Sequence, residues 1–140
     1  MYTYIGEISA KVGQEIEIRG WCYNLRSSGK IAFLQLRDGT GRIQGVVPRD
    51  KVSDETWEKI QKLTIESSVI VRGVAKEDPR SPSGFELSVN EVEPVQIAEE
   101  YPIGKKEHGP DFLLNHRHLW MRSERQASIL RVRDTIEFAF

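Results

Sequence analysis

Residues 33–37, Phe-Leu-Gln-Leu-Arg, run straight into Asp38-Gly39 and constrain this 140-residue chain more than any other stretch. In a β-strand successive side chains point to opposite faces, so Leu34 and Leu36 enter a core only if Phe33, Gln35 and Arg37 face outward. An aromatic ring between polar neighbours on the outer side of a sheet is a platform for a flat partner. That pattern points toward stacked nucleobases.

The flanking residues extend this strand into a meander. Upstream, Ile16 and Ile18 alternate with Glu15, Glu17 and Arg19 in a strand over 15–25, and Ser27-Ser28-Gly29 supplies a turn. Downstream, Asp38-Gly39-Thr40-Gly41 is a strong hairpin signal, and a third strand runs from Arg42 to Val47. After Pro48 the period changes. Ser53 is placed to cap a helix over about 53–64, Asp54 and Glu55 suit its first turn, and Val52, Trp57, Ile60 and Leu63 recur at near-helical spacing. Two more strands follow, at about 67–76 and 85–97, joined by the turn-rich loop Asp78-Pro79-Arg80-Ser81-Pro82-Ser83-Gly84. A shift of apolar parity near Asn90-Glu91-Val92 reads as a bulge that turns Glu91 or Glu93 outward.

Three strands, a helix and two strands in about a hundred residues is the order of the OB-fold, a mainly β, five-stranded Greek-key barrel with one inter-strand helix. A small β-sandwich is the alternative for the same order. The barrel is expected over 1–98, with a linker or hinge over 99–122 containing Tyr101-Pro102-Ile103-Gly104 and Gly109-Pro110. A helix over 123–140 follows, with Ser123 as cap and Ile129, Val132, Ile136 and Phe140 at helical spacing. No stop signal follows that helix, which reads as an element cut short.

Formal net charge is −1, so the chain lacks the basic excess of a protein that coats nucleic acid by neutralising phosphates. Lys and Arg number 7 against 5 acidic residues in 1–50, 6 against 11 in 51–104, and 7 against 5 in 105–140. Any RNA binding is therefore expected to be local and directed at bases. The single cysteine, Cys22, excludes an internal disulfide, and its parity with Ile16, Ile18 and Gly20 marks it as a buried apolar side chain. Together with the lack of a membrane-spanning apolar run or a signal-like start, this leads to the expectation of a soluble, cytoplasmic protein with no membrane partner.

Arg19-Gly20-Trp21, the hairpin from Gly29 to Gly41, Ile43-Gln44-Gly45-Val46, Tyr101-Pro102-Ile103, Lys106-Glu107-His108-Gly109 and the run from His116 to Ser123 occur in an order that resembles the amino-terminal part of the asparaginyl-tRNA synthetase family. The aspartyl and lysyl members of this class II subgroup share the barrel and its Arg-Gly-Trp signature. Their segment after the barrel more often resembles Arg-Tyr-Leu-Asp-Leu than the Arg117-His118-Leu119-Trp120 found here. An aspartyl-type synthetase, discriminating or non-discriminating, is the alternative within the subgroup.

The resemblance implies that the barrel binds the anticodon stem-loop of tRNA. A downstream class II domain, absent here, would hold ATP and Mg and charge tRNA with asparagine. It also implies that residues 123–140 open that domain with the helix of a homodimer interface, that no catalytic residue or cofactor site lies in this stretch, and that the piece alone is an inactive monomer. By position, Phe33 is the stacking aromatic, Gln44 the reader of the central uracil, and Arg26 an arginine near the same base. Glu93, or else Glu91, corresponds to the glutamate that pairs with a guanine-type first base. The third base falls to the loop beginning at Lys76 and containing Arg80 and Ser81, although the aspartyl pattern tends to have arginine where Lys76 stands.

Each residue has a plainer reading as a loop-covered ring, a solvated glutamine, a surface arginine or part of the acidic surface. His108, His116 and His118 lack the paired spacing of a zinc site and read as linker contacts. Trp21, Trp57 and Trp120 read as packing residues, with Trp21 or Tyr23 as possible companions of Phe33. Two other classes compete with anticodon binding: a general single-strand binder, which needs several exposed aromatics, and an interaction module that dimerises through Ile129, Val132 and Ile136.

Overall fold

The computed structural model describes residues 2–104 and 106–140, and the chain divides into two compact units, 1–100 and 101–140. Position 105, within the expected linker, lies outside the described residues. In the first unit, strands β1 (Glu15–Ser28), β2 (Ile31–Arg37), β3 (Arg42–Pro48), β4 (Ser68–Glu77) and β5 (Phe85–Gln96) close a barrel in the order β1-β2-β3-β5-β4. All pairings are antiparallel except β3 with β5, which run parallel. Helix α1 (Asp54–Gln61) bridges β3 and β4 in sequence and lies against β5. This is the five-stranded OB-fold.

Alternation fills the barrel as the sequence anticipates. Ile16, Ile18 and Cys22 from β1, Leu34 and Leu36 from β2, and Val69 and Val71 from β4 all point into a continuous apolar core. Burial of Cys22 pushes its thiol up to about 11. The core is completed from outside the sheet by Ile60 of α1, by Leu63 just beyond it, and by Ile5 and Ile8. Those last two belong to a 3-10 helix over Ile5–Lys11, where the sequence shows only polar and apolar alternation. A repeat of about three residues per turn places both isoleucines on one side.

The turns depart from expectation in detail. β1 continues through Ser28, so the first hairpin turns at Gly29-Lys30, with Gly29 at φ 59°. At the second hairpin the buried Asp38 carboxylate organises the turn. Its Oδ1 accepts from the N–H groups of Thr40 (2.7 Å) and Gly41 (2.9 Å), and its Oδ2 from the N–H of Ile5 (2.8 Å). Helix α1 is capped as anticipated, Ser53 Oγ accepting from Thr56 N at 3.1 Å, but it ends at Gln61 rather than 64.

In the second unit the segment expected as a linker contains two short helices, α2 (Pro110–Asn115) and α3 (Arg117–Trp120), followed by α4 (Glu124–Phe138). His108 stacks on Phe112 at 4.5 Å between centroids and accepts from Gly104 N at 3.1 Å. His116 Nδ1 bonds the Phe112 carbonyl at 2.8 Å. On α4, Ile129, Val132 and Ile136 are each at least half exposed. No helix among the described residues is long and apolar enough to cross a membrane.

Candidate nucleic-acid interface

The register of the strands assembles the outer face. One transverse row reads Asn24, Gln35, Gln44, Glu86 and Lys76, each the direct partner of the next across β1, β2, β3, β5 and β4. The adjacent row reads Arg26, Phe33, Val46, Ser88 and Val74. None of these side chains is in the core, and Phe33 is half-buried at the surface.

Arg26 reaches this face because β1 carries a bulge. The register between β1 and β2 shifts between Cys22 and Asn24, leaving Tyr23 as the additional residue. Without it, strict alternation from the buried Cys22 would turn Arg26 inward. With it, Leu25 packs against the core and Arg26 stands directly opposite Phe33. Arg26, Ser27, Ser28, Phe33 and Gln44 line one surface depression of about 470 Å³, within the ~300–1,000 Å³ usual for small-ligand sites. A ring, a planar guanidinium and an amide converge there, supplying a stacking surface, a forked donor and a group that both donates and accepts.

The glutamates sort differently from expectation. A bulge at Asn90 indeed leaves Glu91 exposed, and Glu93 is exposed as well. Both are engaged by Arg72, whose Nη1 lies 2.8 Å from Glu91 and Nη2 3.8 Å from Glu93. Arg72 also bonds Glu17 at 2.9 Å. The carboxyl beside Gln44 is that of Glu86, which the sequence reading did not single out. Glu91 and Glu93 lie five and seven residues farther along β5, roughly 17 and 23 Å of strand away at about 3.3 Å per residue. Burial, then the negative charge of Asp78, raises the Glu86 carboxyl above the ordinary carboxylate range.

Of the loop residues, Lys76 joins the row through Glu86. Arg80 holds the Asp78 carboxylate through Nε and Nη2, at 3.0 Å each. Ser81 Oγ lies 3.2 Å from Ser83 Oγ, within the loop. Trp21 is exposed with the Arg37 guanidinium over its ring at 5.6 Å, so it is not a packing residue, and Arg42 covers Tyr23 at 4.0 Å. Among the described residues no group of three His, Cys, Asp or Glu side chains is placed to hold a metal ion.

The family model of the OB-fold nucleic acid binding domain, tRNA anti-codon type, matches residues 16–95, more than half of the chain. The chain belongs to this family. The matched span runs from the start of β1 to the end of β5 and contains every residue of both rows. Over 127 residues the chain is 55% identical to the asparagine-tRNA ligase of Symbiobacterium thermophilum, covering 91% of this chain and 29% of that protein. It is 51% identical over 137 residues to the asparagine-tRNA ligase of Desulforamulus reducens, covering 98% of this chain and 32% of the relative. The crystal structure of asparaginyl-tRNA synthetase from Pyrococcus horikoshii complexed with asparaginyl-adenylate superimposes with a TM-score of 0.91 at 38% identity, covering 99% of this chain and 33% of that one. The OB-fold chain thus spans less than a third of the length of the curated relatives it matches.

Proposed function

We propose that the outer face of β1, β2, β3 and β5 binds the unpaired bases of a tRNA anticodon, and that it serves an asparagine-tRNA ligase. The observation that carries this reading is the convergence of Phe33, Gln44 and Arg26 on one depression. In single-stranded RNA the bases are splayed, so an aromatic face receives one of them while neighbouring polar groups meet its edge. Phe33 stacks on the central base. The Gln44 amide pairs with its pyrimidine edge, and Arg26 donates to a carbonyl or phosphate.

The neighbouring first base, guanine-type in this reading, presents amino and imino hydrogens. Glu86 is the acceptor beside Gln44 that suits them, in place of Glu91 or Glu93, which Arg72 already engages. Lys76, Arg80 and Ser81 are left for the third base. Charging with asparagine at the expense of ATP, dimerisation through the region of α4, and a cytoplasmic setting belong to the same proposal for the whole protein.

Fluorescence anisotropy of a labelled anticodon stem-loop titrated with this chain tests the reading. Selective binding of the asparagine anticodon is expected, with a shallow salt dependence because few phosphates need be neutralised. Equal affinity for a scrambled loop would refute it.

A further inference from the structure

The loop joining β4 to β5 holds a set of contacts that anticodon stacking leaves without a role. Arg80 donates to the Asp78 carboxylate from both Nε and Nη2 and from its own backbone N–H, at 2.9–3.0 Å. Its side chain is nevertheless 90% exposed, whereas that of Asp78 is 13% exposed. Asp78 also closes the loop, its N–H donating to the Gly84 carbonyl at 2.9 Å. That bond continues the register in which Lys76 pairs with Glu86 and Glu77 with Phe85, so Asp78 is the diagonal neighbour of Glu86, and Glu86 stands between Gln44 on one strand and Lys76 on the other. One aspartate thus links the most exposed cation of the loop to the acceptor on the base-reading face.

We propose that Asp78 is a positioning residue for base recognition: it locks the Arg80 guanidinium and orients the Glu86 carboxyl beside Gln44, so that RNA meets a fixed cation and a fixed acceptor together. This rests on the reading of the face as RNA-binding. Two neighbouring carboxyls do not both ionise freely, and the one with the nearer cation keeps its charge. Arg80 holds Asp78 down to about 2. Of the two, Glu86 is therefore the carboxyl that takes up a proton. The charged groups facing Glu86 are Asp78 and Arg80 from the loop and Lys76 from β4, with the uncharged Gln44 on β3. Deprotonated, Glu86 accepts from a base N–H; protonated, it turns that acceptor into a donor.

Two measurements separate this link from the RNA reading. Carbon-13 NMR of the Glu86 carboxyl in the RNA-free chain follows its titration directly. Asp78→Asn keeps the Oδ1 acceptor for the Arg80 N–H but removes the anion, so the Glu86 midpoint is expected to fall. Arg80→Gln removes a cation, so the midpoint is expected to rise. An unmoved midpoint in Asp78→Asn, or shifts of the same sign in both variants, would overturn the positioning role whatever the RNA does.

Stem-loop binding followed from acid to neutral pH supplies the second arm, because the Glu86 carboxyl is raised from its ordinary value. The chain is expected to lose affinity for a guanine-first loop as pH falls, and Asp78→Asn to move that loss to lower pH. Glu86→Gln is expected to flatten the profile and weaken binding roughly tenfold or more, the worth of a charge-assisted hydrogen bond. A scrambled loop bound as tightly as the asparagine loop would refute the face itself, even with both NMR shifts as expected.

Discussion

Phe33 and Gln44 are diagonal neighbours on adjacent antiparallel strands: Phe33 stands opposite Val46 and Gln44 opposite Gln35, and all four face away from the core. Diagonal partners lie about 7–8 Å apart. That distance lets a ring lie under a base while an amide reaches the same base's edge. Neither residue could be moved one position along its strand without losing the arrangement, because a one-residue slip sends the side chain to the opposite face.

Phe33→Ala is expected to weaken anticodon stem-loop binding by about 1–3 kcal/mol, the usual worth of one base stacked on an aromatic ring. Its thermal unfolding should change little, since Phe33 lies outside the core. The adjacent Leu34 is fully buried, and Leu34→Ala is expected to cost about 2–5 kcal/mol of folding stability. Urea denaturation of the two variants reads the contrast; a reversed order would mean that the faces of β2 are exchanged.

Gln44→Leu keeps the bulk of the side chain while removing its donor and acceptor. We expect discrimination between uracil and cytosine at the central anticodon position to fall by about 0.5–1.5 kcal/mol, the net value of one hydrogen bond. Competition titrations with the two stem-loops measure it. Unchanged discrimination would remove Gln44 from base readout.

Gly20→Ala is expected to destabilise the barrel. A Cβ there would sit 2.4 Å from the Arg37 carbonyl oxygen, a backbone atom of the paired strand. Forcing β1 and β2 apart carries the cost of overpacking, about 1–3 kcal/mol. Chemical denaturation tests this, and a wild-type midpoint would show that the strands separate without penalty.

The Cys22 thiol, pushed up to about 11 by burial, lies above the ~8.5 of an unfolded chain. Its contribution to stability is fully present below the unfolded value and is lost as pH rises through the folded one, so stability should decline across that alkaline window. At neutral pH, DTNB is expected to leave the folded chain unlabelled and to react on addition of urea. Stoichiometric labelling without denaturant would contradict this.

The barrel was legible because its strands obey period two: Ile16, Ile18 and Cys22, then Leu34 and Leu36, alternate with polar residues and all prove buried. The 3-10 helix at Ile5–Lys11 escaped notice because seven residues give too few repeats for a period of three to stand out. The same limit hid α2 and α3 inside an apparent linker. Phe33, Gln44 and Arg26 could be named in advance, two by alternation and position and one by family likeness. Glu86 could not, because its place beside Gln44 depends on the parallel pairing of β3 with β5, a contact between strands separated by a helix and another strand. Local pattern carries no record of such a neighbour.

The dislocation at Tyr23 gives β1 two out-of-phase halves. Before it, inward positions are tied to β4 and to the stability of the barrel wall; after it, the outward positions line the face proposed to meet RNA. Substitutions that retune specificity at Asn24 or Arg26 are thereby mechanically insulated from the interior, and the same scaffold accommodates a different nucleotide by rewriting a few surface letters.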